Sequence, residues 1–270
     1  MTLVLTLREL PEQRLDLSPL VPHLLAGKSA ADINRIELQT TKLRVTVGDA
    51  FRLRMGDVGR IRIEGACDRL DAIGAGMNGG ELTVAGNVGV QVGRLMTGGR
   101  LVIGGDAGHW AASGIKGGEI EIKGSAGERL GGPLAGEVAG MRGGVVIVRG
   151  NAGARAGDRM RRGTILIEGN AADYAGSRMI AGTLIVRREA GALPGYLMKR
   201  GTIILGEGCG ALSPTFVDCG MHALLAVRLM ARFVNTYSKE TAVLMGGSLR
   251  RYAGDMAVLG KGELFTGNLD

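Results

Sequence analysis

Short apolar stretches recur along the middle of the chain with a nearly constant spacing. Each contains an aliphatic triplet, and the triplets start at Ile61, Leu82, Leu101, Ile120, Val146, Ile165, Leu184 and Ile203. Successive starts lie 19 or 21 residues apart, except for the 26-residue step from Ile120 to Val146. The stretches are too short for helices, and a period of this length is typical of β-solenoid coils. The pattern predicts an all-β fold, a right-handed parallel β-helix with about 19 residues per coil.

Two columns of the repeat are predicted to face the interior. The first and third residues of each triplet are aliphatic, and alternation along a strand sends both to the same face. Five residues before each triplet from Leu82 onward lies another apolar column. Its members are Met77, Met96, Ile115, Met141, Met160, Met179 and Met198. We expect them to stack as an interior ladder, because methionine fills irregular gaps well.

A third column consists of small residues that follow each strand. It contains Cys67, Val88, Ala107, Ala126, Ala152, Ala171, Ala190 and Cys209, so two of the three cysteines are predicted to be wall residues. The residues just before it are turn formers expected to bond local backbone at a corner: Asn87, Asp106, Ser125, Asn151 and Asn170. The neighbouring glycines are expected to supply the corner conformations: Gly86, Gly105, Gly124, Gly150 and Gly169. A segment resembling GxGxxG at 74–80 leads into a strand and not a helix, so a dinucleotide site is not indicated.

The middle residues of the later triplets form an apolar stripe that needs a cover. The stripe consists of Ile147, Leu166, Ile185 and Ile204. The segment 222–233 has the periodicity of an amphipathic helix. We predict that this helix packs over the stripe through Leu225, Ala226, Leu229, Met230 and Phe233.

The two ends of the chain do not follow the period. Residues 1–60 combine a strand-like start with short helical pieces and are predicted to be an N-terminal cap, which protects the open sheet edge. The repeats are assigned to 61–211. Residues 212–270 are assigned to the helix and a C-terminal cap, with strand-like segments between 246 and 265.

Composition narrows the function classes. The net charge of +7 favours an acidic partner, while an aromatic content of 3% argues against a stacking surface for nucleic acid. The cysteines form no CxxC pair, and no apolar run is long enough for a signal peptide or a membrane span. We therefore expect a cytoplasmic protein that binds neither nucleic acid nor membrane.

One exposed column of the repeat is basic and could contact an acidic partner surface or a polyanionic cofactor tail; the alternative is ordinary charge that keeps the protein soluble. It contains Lys116, Arg142, Arg161 and Lys199, is interrupted by Ile180, and has Arg162 and Arg200 beside it. The seven extra residues, within 127–140, are predicted to bulge outward and present Pro133 and Leu134, because insertions in repeat proteins map to loops. No catalytic, cofactor-binding or metal-binding residue is predicted; Cys219 and His222 are only half of a metal site.

The repeated motif resembles a known domain. The pattern in 82–103 and 146–167 is similar to the GXGXG β-helix domain of glutamate synthase and of the C-subunit of formylmethanofuran dehydrogenase. The insertion at 131–144, the exit at 212–220 and the ending at 251–264 favour the C-subunit family. The segments 26–33 and 47–51 also look like this family, so the resemblance spans nearly the whole chain.

The resemblance implies a structural subunit of a complex that handles formyl groups. In the bacterial formyltransferase/hydrolase complex, a formyl group passes from formyltetrahydromethanopterin to a methanofuran analogue and is hydrolysed to formate. It implies other subunits as partners, especially a metallohydrolase subunit. The methanofuran-type carrier and zinc are expected on those partners, and no catalytic residue is carried over to this chain.

Three alternatives remain open at this point. The C-subunit of a tungsten or molybdenum formylmethanofuran dehydrogenase belongs to the same family, although the excess of Arg over Lys favours the bacterial complex. A free-standing β-helix that binds polyanion or carbohydrate would use the basic column. An enzyme in its own right would need paired carboxylates, whereas Asp158 and Asp173 are isolated among basic residues.

Overall fold

The computed structural model describes residues 1–40 and 42–267. Thr41 and residues 268–270, which belong to the two predicted caps, lie outside the described residues. The helices, in chain order α1 to α5, are Pro22–Leu25, Ala30–Asn34, Val47–Ala50, Leu225–Val234 and Lys239–Met245. The strands, in chain order β1 to β17, are Thr2–Leu7, Leu15–Asp16, Glu37–Leu38, Val45–Thr46, Phe51–Arg54, Asp57–Ala66, Leu70–Asp71, Asn78–Gly86, Gly98–Ile103, Glu119–Ile122, Arg142–Val148, Arg162–Ile167, Thr183–Val186, Arg200–Leu205, Val217–His222, Leu249–Gly254 and Lys261–Thr266.

Thirteen strands form one sheet in which parallel pairs dominate. Its order is β15-β16-β17-β14-β13-β12-β11-β10-β9-β8-β6-β1-β5. The eight predicted triplets pair in register, so that Ile61 lies opposite Leu82, Leu82 opposite Leu101, and so on to Ile203. The prediction of a mainly parallel β structure with few helices is therefore confirmed.

The interior columns are buried as predicted. The first and third residues of every triplet are at most 2% exposed, and all seven members of the methionine column are 0% exposed. Successive members of that column are joined through the backbone. The N–H of Thr97 donates to the carbonyl of Met77 at 2.8 Å, and the N–H of Lys116 donates to that of Met96 at 2.8 Å. The column is therefore a single stacked file within one hydrophobic core.

The column of small residues forms a second line of parallel contacts outside the main sheet. Parallel bridges link Val88, Ala107, Ala126, Ala152, Ala171, Ala190 and Cys209 in sequence. Burial raises the pKa of the Cys209 thiol, with the charge of Glu189 adding to the effect, so the thiol is a poor nucleophile. This agrees with the structural role predicted for that cysteine.

The turn-forming column corrects one prediction. The side chains of Asn87, Asp106, Ser125, Asn151 and Asn170 do not bond local backbone. Each accepts the backbone N–H of the equivalent residue in the next repeat, at 2.7–3.2 Å. They therefore stack as a ladder of side-chain to backbone hydrogen bonds between repeats.

The glycines beside this ladder are also used differently from the prediction. Gly86 has a φ of +119°, but the other four glycines of the set do not adopt positive φ. A Cβ built on Gly105 would lie 2.2 Å from Oδ1 of Asn87, and one on Gly124 would lie 2.2 Å from Oδ1 of Asp106. Four of the five glycines are therefore required by close packing against the ladder.

The apolar stripe is covered by helices as predicted, but the helix turns a different face to it. The four stripe residues are at most 1% exposed and pack in a second core with α4 and α5. Helix α4 contacts this core through Val227, Met230, Ala231 and Val234. Of the five residues predicted to face the stripe, only Met230 does so. The side chains of Leu225, Leu229 and Phe233 are exposed, because they lie on the opposite side of the helix.

Both ends of the chain join the same sheet. Strand β1 pairs in parallel with β6, and β17 pairs in parallel with β14. The outermost strands β5 and β15 are antiparallel to their neighbours. The short helices α2 and α3 begin at capping boxes formed by Ser29 with Asp32 and by Thr46 with Asp49. None of the helices in the described residues has the length and apolar character needed to cross a bilayer.

Candidate functional site

The predicted basic column lies immediately after the buried methionine column. The backbone N–H groups of Arg142, Arg161 and Lys199 each donate to a carbonyl of the methionine column one repeat earlier, at 2.7–2.8 Å. Since the residue before each cation points inward, the cation points outward. All six predicted contact cations are exposed: Lys116, Arg142, Arg161, Arg162, Lys199 and Arg200. Lys116, Arg142 and Arg161 follow one another in consecutive rungs about 4.8 Å apart, whereas the rung of Ile180 separates Arg161 from Lys199.

These six cations have no carboxylate partner among the described residues. Every ion pair among the described residues is formed by an arginine outside this set of six. Arg161, Arg162, Lys199 and Arg200 line a shallow cleft of about 380 Å³ whose remaining walls are apolar. An anionic group placed there would meet several unneutralised charges.

On the outer face of the sheet, by contrast, arginines are paired with carboxylates. Arg149 binds Glu121 and Glu168 at 2.9 Å, and Arg100 binds Glu121 at 3.2 Å. Burial alone would raise the pKa of Glu121, but hydrogen bonds and charges from Arg149 and Arg100 outweigh it and lower that pKa. Arg149 also donates to the carbonyl of Tyr237 at 2.9 Å, which ties the segment between α4 and α5 to the sheet. The charges of Arg100, Arg149, Glu121 and Glu168 are therefore neutralised within the chain.

The insertion between β10 and β11 is held close to the neighbouring repeats. Arg94 donates to Glu137 Oε1 at 2.7 Å, and Glu137 Oε2 accepts the N–H of Leu134 at 2.9 Å. Pro133 is buried within the chain and Leu134 is half-buried. The insertion instead exposes Val138, which is 76% exposed. Of the two predicted contact residues, only Leu134 is accessible.

A second cleft, of about 320 Å³, lies beside the insertion. It is lined by Trp110, Arg129, Arg159 and Arg178 together with the insertion and Asp158. Asp158 is 1% exposed; Ser177 Oγ donates to its Oδ1 at 2.8 Å, and Arg129 lies 3.4 Å from its Oδ2. This carboxylate is therefore engaged within the chain.

The remaining candidate groups do not assemble a reactive site. Asp173 uses its Oδ1 to accept the N–H of Ala192 in the next repeat. His222 Nε2 lies 2.9 Å from the carbonyl of Cys219, which is exposed. In residues 1–40 and 42–267, no three side chains of His, Cys, Asp or Glu come together as metal ligands.

Several basic residues next to the predicted column escaped the sequence analysis. Arg129, Arg155, Arg159 and Arg178 occupy corner positions with φ between 50° and 62°. The guanidinium of Arg155 lies 4.9 Å from the ring centroid of Tyr174, a cation–π contact. The period of the repeat could have revealed two of them, since Arg159 and Arg178 are one repeat apart. These half-buried arginines therefore add further basic residues to those predicted, although Arg129 pairs with Asp158.

Comparison with known proteins gives a match over nearly the whole chain. No protein-family model matches it. The chain is 53% identical over 258 residues to the Fhc C-subunit of the formyltransferase/hydrolase complex of Methylorubrum extorquens, covering 96% of either sequence. It also superimposes on a chain in the X-ray crystal structure of the formyltransferase/hydrolase complex (FhcABCD) from Methylorubrum extorquens in complex with methylofuran. That superposition has a TM-score of 0.95 and 42% sequence identity, and it covers 98% of this chain and 99% of the other. The likeness therefore includes the repeats and both flanking segments.

Proposed function

We propose a scaffold role from the premise that this chain belongs to the Fhc C-subunit family of the formyltransferase/hydrolase complex. In this role the chain holds other subunits of a formyl-transferring and formyl-hydrolysing complex of one-carbon metabolism. It contributes no reacting group of its own. The similarity to a subunit of this complex favours the formyltransferase/hydrolase branch over the tungsten or molybdenum dehydrogenase.

The proposal includes a specific architecture. The repeats at 61–211 form a right-handed parallel β-helix, with an N-terminal cap at 1–60 and a helix with a C-terminal cap at 212–270. Support comes from the two parallel lines of contacts in each repeat, one through the triplets and one through the alanine column. A stack of this kind is rigid along its axis, because each repeat contacts its neighbours over its whole length.

The chemistry of the complex is assigned to the partner subunits. A methanofuran-type carrier transfers the formyl group, and a metallohydrolase subunit with zinc releases formate. The solved formyltransferase/hydrolase complex, one chain of which this protein resembles, is in complex with methylofuran. We place the assembly in the cytoplasm, where the cysteines of this chain remain thiols.

One observation carries the scaffold role: an exposed column of cations, interrupted at Ile180, runs across the repeats without carboxylate partners in the described residues. We propose that Lys116, Arg142, Arg161, Arg162, Lys199 and Arg200 contact an acidic surface of a partner subunit, with Leu134 and the buried Pro133 shaping its border. Electrostatic complementarity of this kind speeds association and sets orientation.

The test is co-expression of the chain with the other subunits, followed by purification and quantitative mass spectrometry. Reversing three charges in the column, Arg142→Glu, Arg161→Glu and Lys199→Glu, should reduce the co-purified subunits by about tenfold or more, since like charges then face one another. Metal analysis of the wild-type complex should find zinc and neither tungsten nor molybdenum.

The matched control reverses three exposed cations elsewhere: Lys28→Glu, Arg52→Glu and Lys123→Glu. It changes the net charge equally and should leave the complex intact. If both triple variants lost the co-purified subunits to the same extent, the basic column would not be part of the interface. If the wild-type chain recovered none of the other subunits but bound heparin on its own, the scaffold role would be wrong and the polyanion-binding alternative would be supported.

A further inference from the structure

Helix α4 exposes an apolar row on the side away from the sheet. Leu225, Leu229 and Phe233 are spaced by four residues and are 69%, 52% and 43% exposed. The opposite side of the helix is already occupied, because Val227 and Val234 are buried against the stripe. The exposed row is therefore a second apolar face that residues 1–40 and 42–267 leave uncovered.

A second row, of arginines, runs beside the apolar one. At 3.6 residues per turn, Arg232 lies next to Leu225 in helical projection, and Arg228 lies just beyond it. Both arginines are exposed and form no ion pair within the described part of the chain. The outer surface of α4 thus places an apolar ridge beside a row of unneutralised cations.

More than half of the exposed large apolar side chains lie in one part of the chain. Among the described residues, sixteen large apolar side chains are exposed, and nine of them lie between Val217 and Leu259. Only Leu95 and Val138 lie in the region of the repeats. Scattered exposed apolar residues are ordinary, but a grouped patch on a surface helix marks an interaction site.

We infer that the row Leu225–Leu229–Phe233 docks an amphipathic helix of another subunit of the complex, whose apolar row is flanked by Asp and Glu residues. The inference rests on the proposed scaffold function. Residues spaced by four form a ridge that fits the groove of a second helix. Carboxylates at the border of that helix pair with Arg228 and Arg232.

A second copy of this chain fits the row less well. Two copies meeting through antiparallel α4 helices would bring the Arg228 and Arg232 rows together, in a chain that already has a net charge of +7. Like charges juxtaposed at an interface oppose association. An acidic amphipathic helix bound to α4 buries the exposed apolar row and pairs with both arginines.

The location of α4 gives this contact a structural consequence. Its inner side covers Leu166 and Ile185, so a partner bound on its outer side clamps the helix onto the sheet. Partner binding and retention of the helical cover are then coupled, because each stabilises the bound position of α4.

The experiment uses the co-expressed complex. Leu229→Glu, and separately the double variant Arg228→Glu with Arg232→Glu, should each lower the recovery of one partner subunit by about tenfold, since each opposes an acidic apolar helix. The matched control is Leu24→Glu, a leucine of α1 that is 47% exposed, which should leave recovery unchanged. The melting temperature of each isolated variant confirms that the chain still folds.

A photo-crosslinking residue at position 229 then identifies the occupant. A cross-link to a helical segment rich in Asp and Glu of another subunit is the expected result. A cross-link to a second copy of this chain, or unchanged recovery in both α4 variants, overturns the inference. If the wild-type chain recovers no subunit, the scaffold function itself fails; if it recovers them and the α4 variants do too, only this inference fails.

Discussion

The side chain of Asn151 accepts a hydrogen bond from the backbone of Asn170 at 2.8 Å and leaves no room for a Cβ on Gly169. The same arrangement recurs at Gly105, where Asn87 fills the space. The ladder residue and the glycine of the next repeat therefore depend on each other. The polar side chain satisfies a backbone donor, and the glycine of the next repeat makes way for it.

Gly105→Ala is expected to destabilise the chain by about 1–3 kcal/mol, because the new methyl group overlaps Asn87 Oδ1 and the backbone of Gly86. Chemical denaturation of the isolated subunit measures the change. Gly79→Ala is the control, since no heavy atom lies within 4 Å of a Cβ there. Equal stability of the two variants would contradict the packing argument.

A single ionised carboxylate links acid stability to the outer face of the sheet. The pKa of Glu121 lies below its ordinary value of 4.5, so ionisation stabilises the folded chain. This stabilisation is fully present when the pH is above the pKa of Glu121 in the unfolded chain. It is lost as the pH falls through the lower pKa of Glu121 in the folded chain. Glu121→Gln should therefore lower the melting temperature near about pH 6, with the deficit shrinking towards about pH 3.

Thermal denaturation of the isolated subunit across this pH range is the measurement. Glu128→Gln provides the comparison, because Glu128 is exposed and no cation pairs with it among the described residues. A deficit in Glu121→Gln that grew on acidification would show that the sign of the effect is wrong.

At the scale of elements, α4 shows why one face of a helix is hard to assign from sequence. Its exposed residues Leu225, Leu229 and Phe233 are larger and more hydrophobic than the buried Val227 and Ala231. Periodicity predicted the helix and its cover over the stripe. Hydrophobicity then favoured the wrong face, because both faces of this helix are apolar and only the packed structure distinguishes them.

The same difference gives a sharp test of the cover. Leu166→Glu should destabilise the isolated chain by more than about 3 kcal/mol, because it places an unpaired charge beneath α4 at a residue that is 1% exposed. Leu229→Glu, on the outer side of the helix, should leave the melting temperature nearly unchanged. Similar melting temperatures for both variants would mean that α4 does not seal the stripe.

The additional basic residues mark another limit of sequence analysis. Lys116 and Arg161 were found because they directly follow the regular methionine column. Arg129 and Arg155 were missed, because they do not follow the methionine column and their corner conformation has no residue signature. Burial of Pro133 was also beyond reach, since it depends on how the insertion folds back on its neighbours.

At the scale of the whole molecule, the regular part of the fold was predictable and the ends were not. A period of about 19 residues aligns every triplet with its neighbour, so strand order and register follow from counting. The strand-like character of 246–265 was predicted, and β16 and β17 are found there. Their pairing was not predicted, because β17 joins β14 across residues 206–260 and no local pattern encodes that distance.

This return of β17 sets an order of events during synthesis. Until residue 266 has left the ribosome, the edge of β14 has no strand to complete it, and Phe265 is missing from the core beneath the helices. Nascent chains arrested between β14 and β17 present a bare, aliphatic template to one another. This edge is therefore closed only when β17, the last strand of the described residues, pairs with β14.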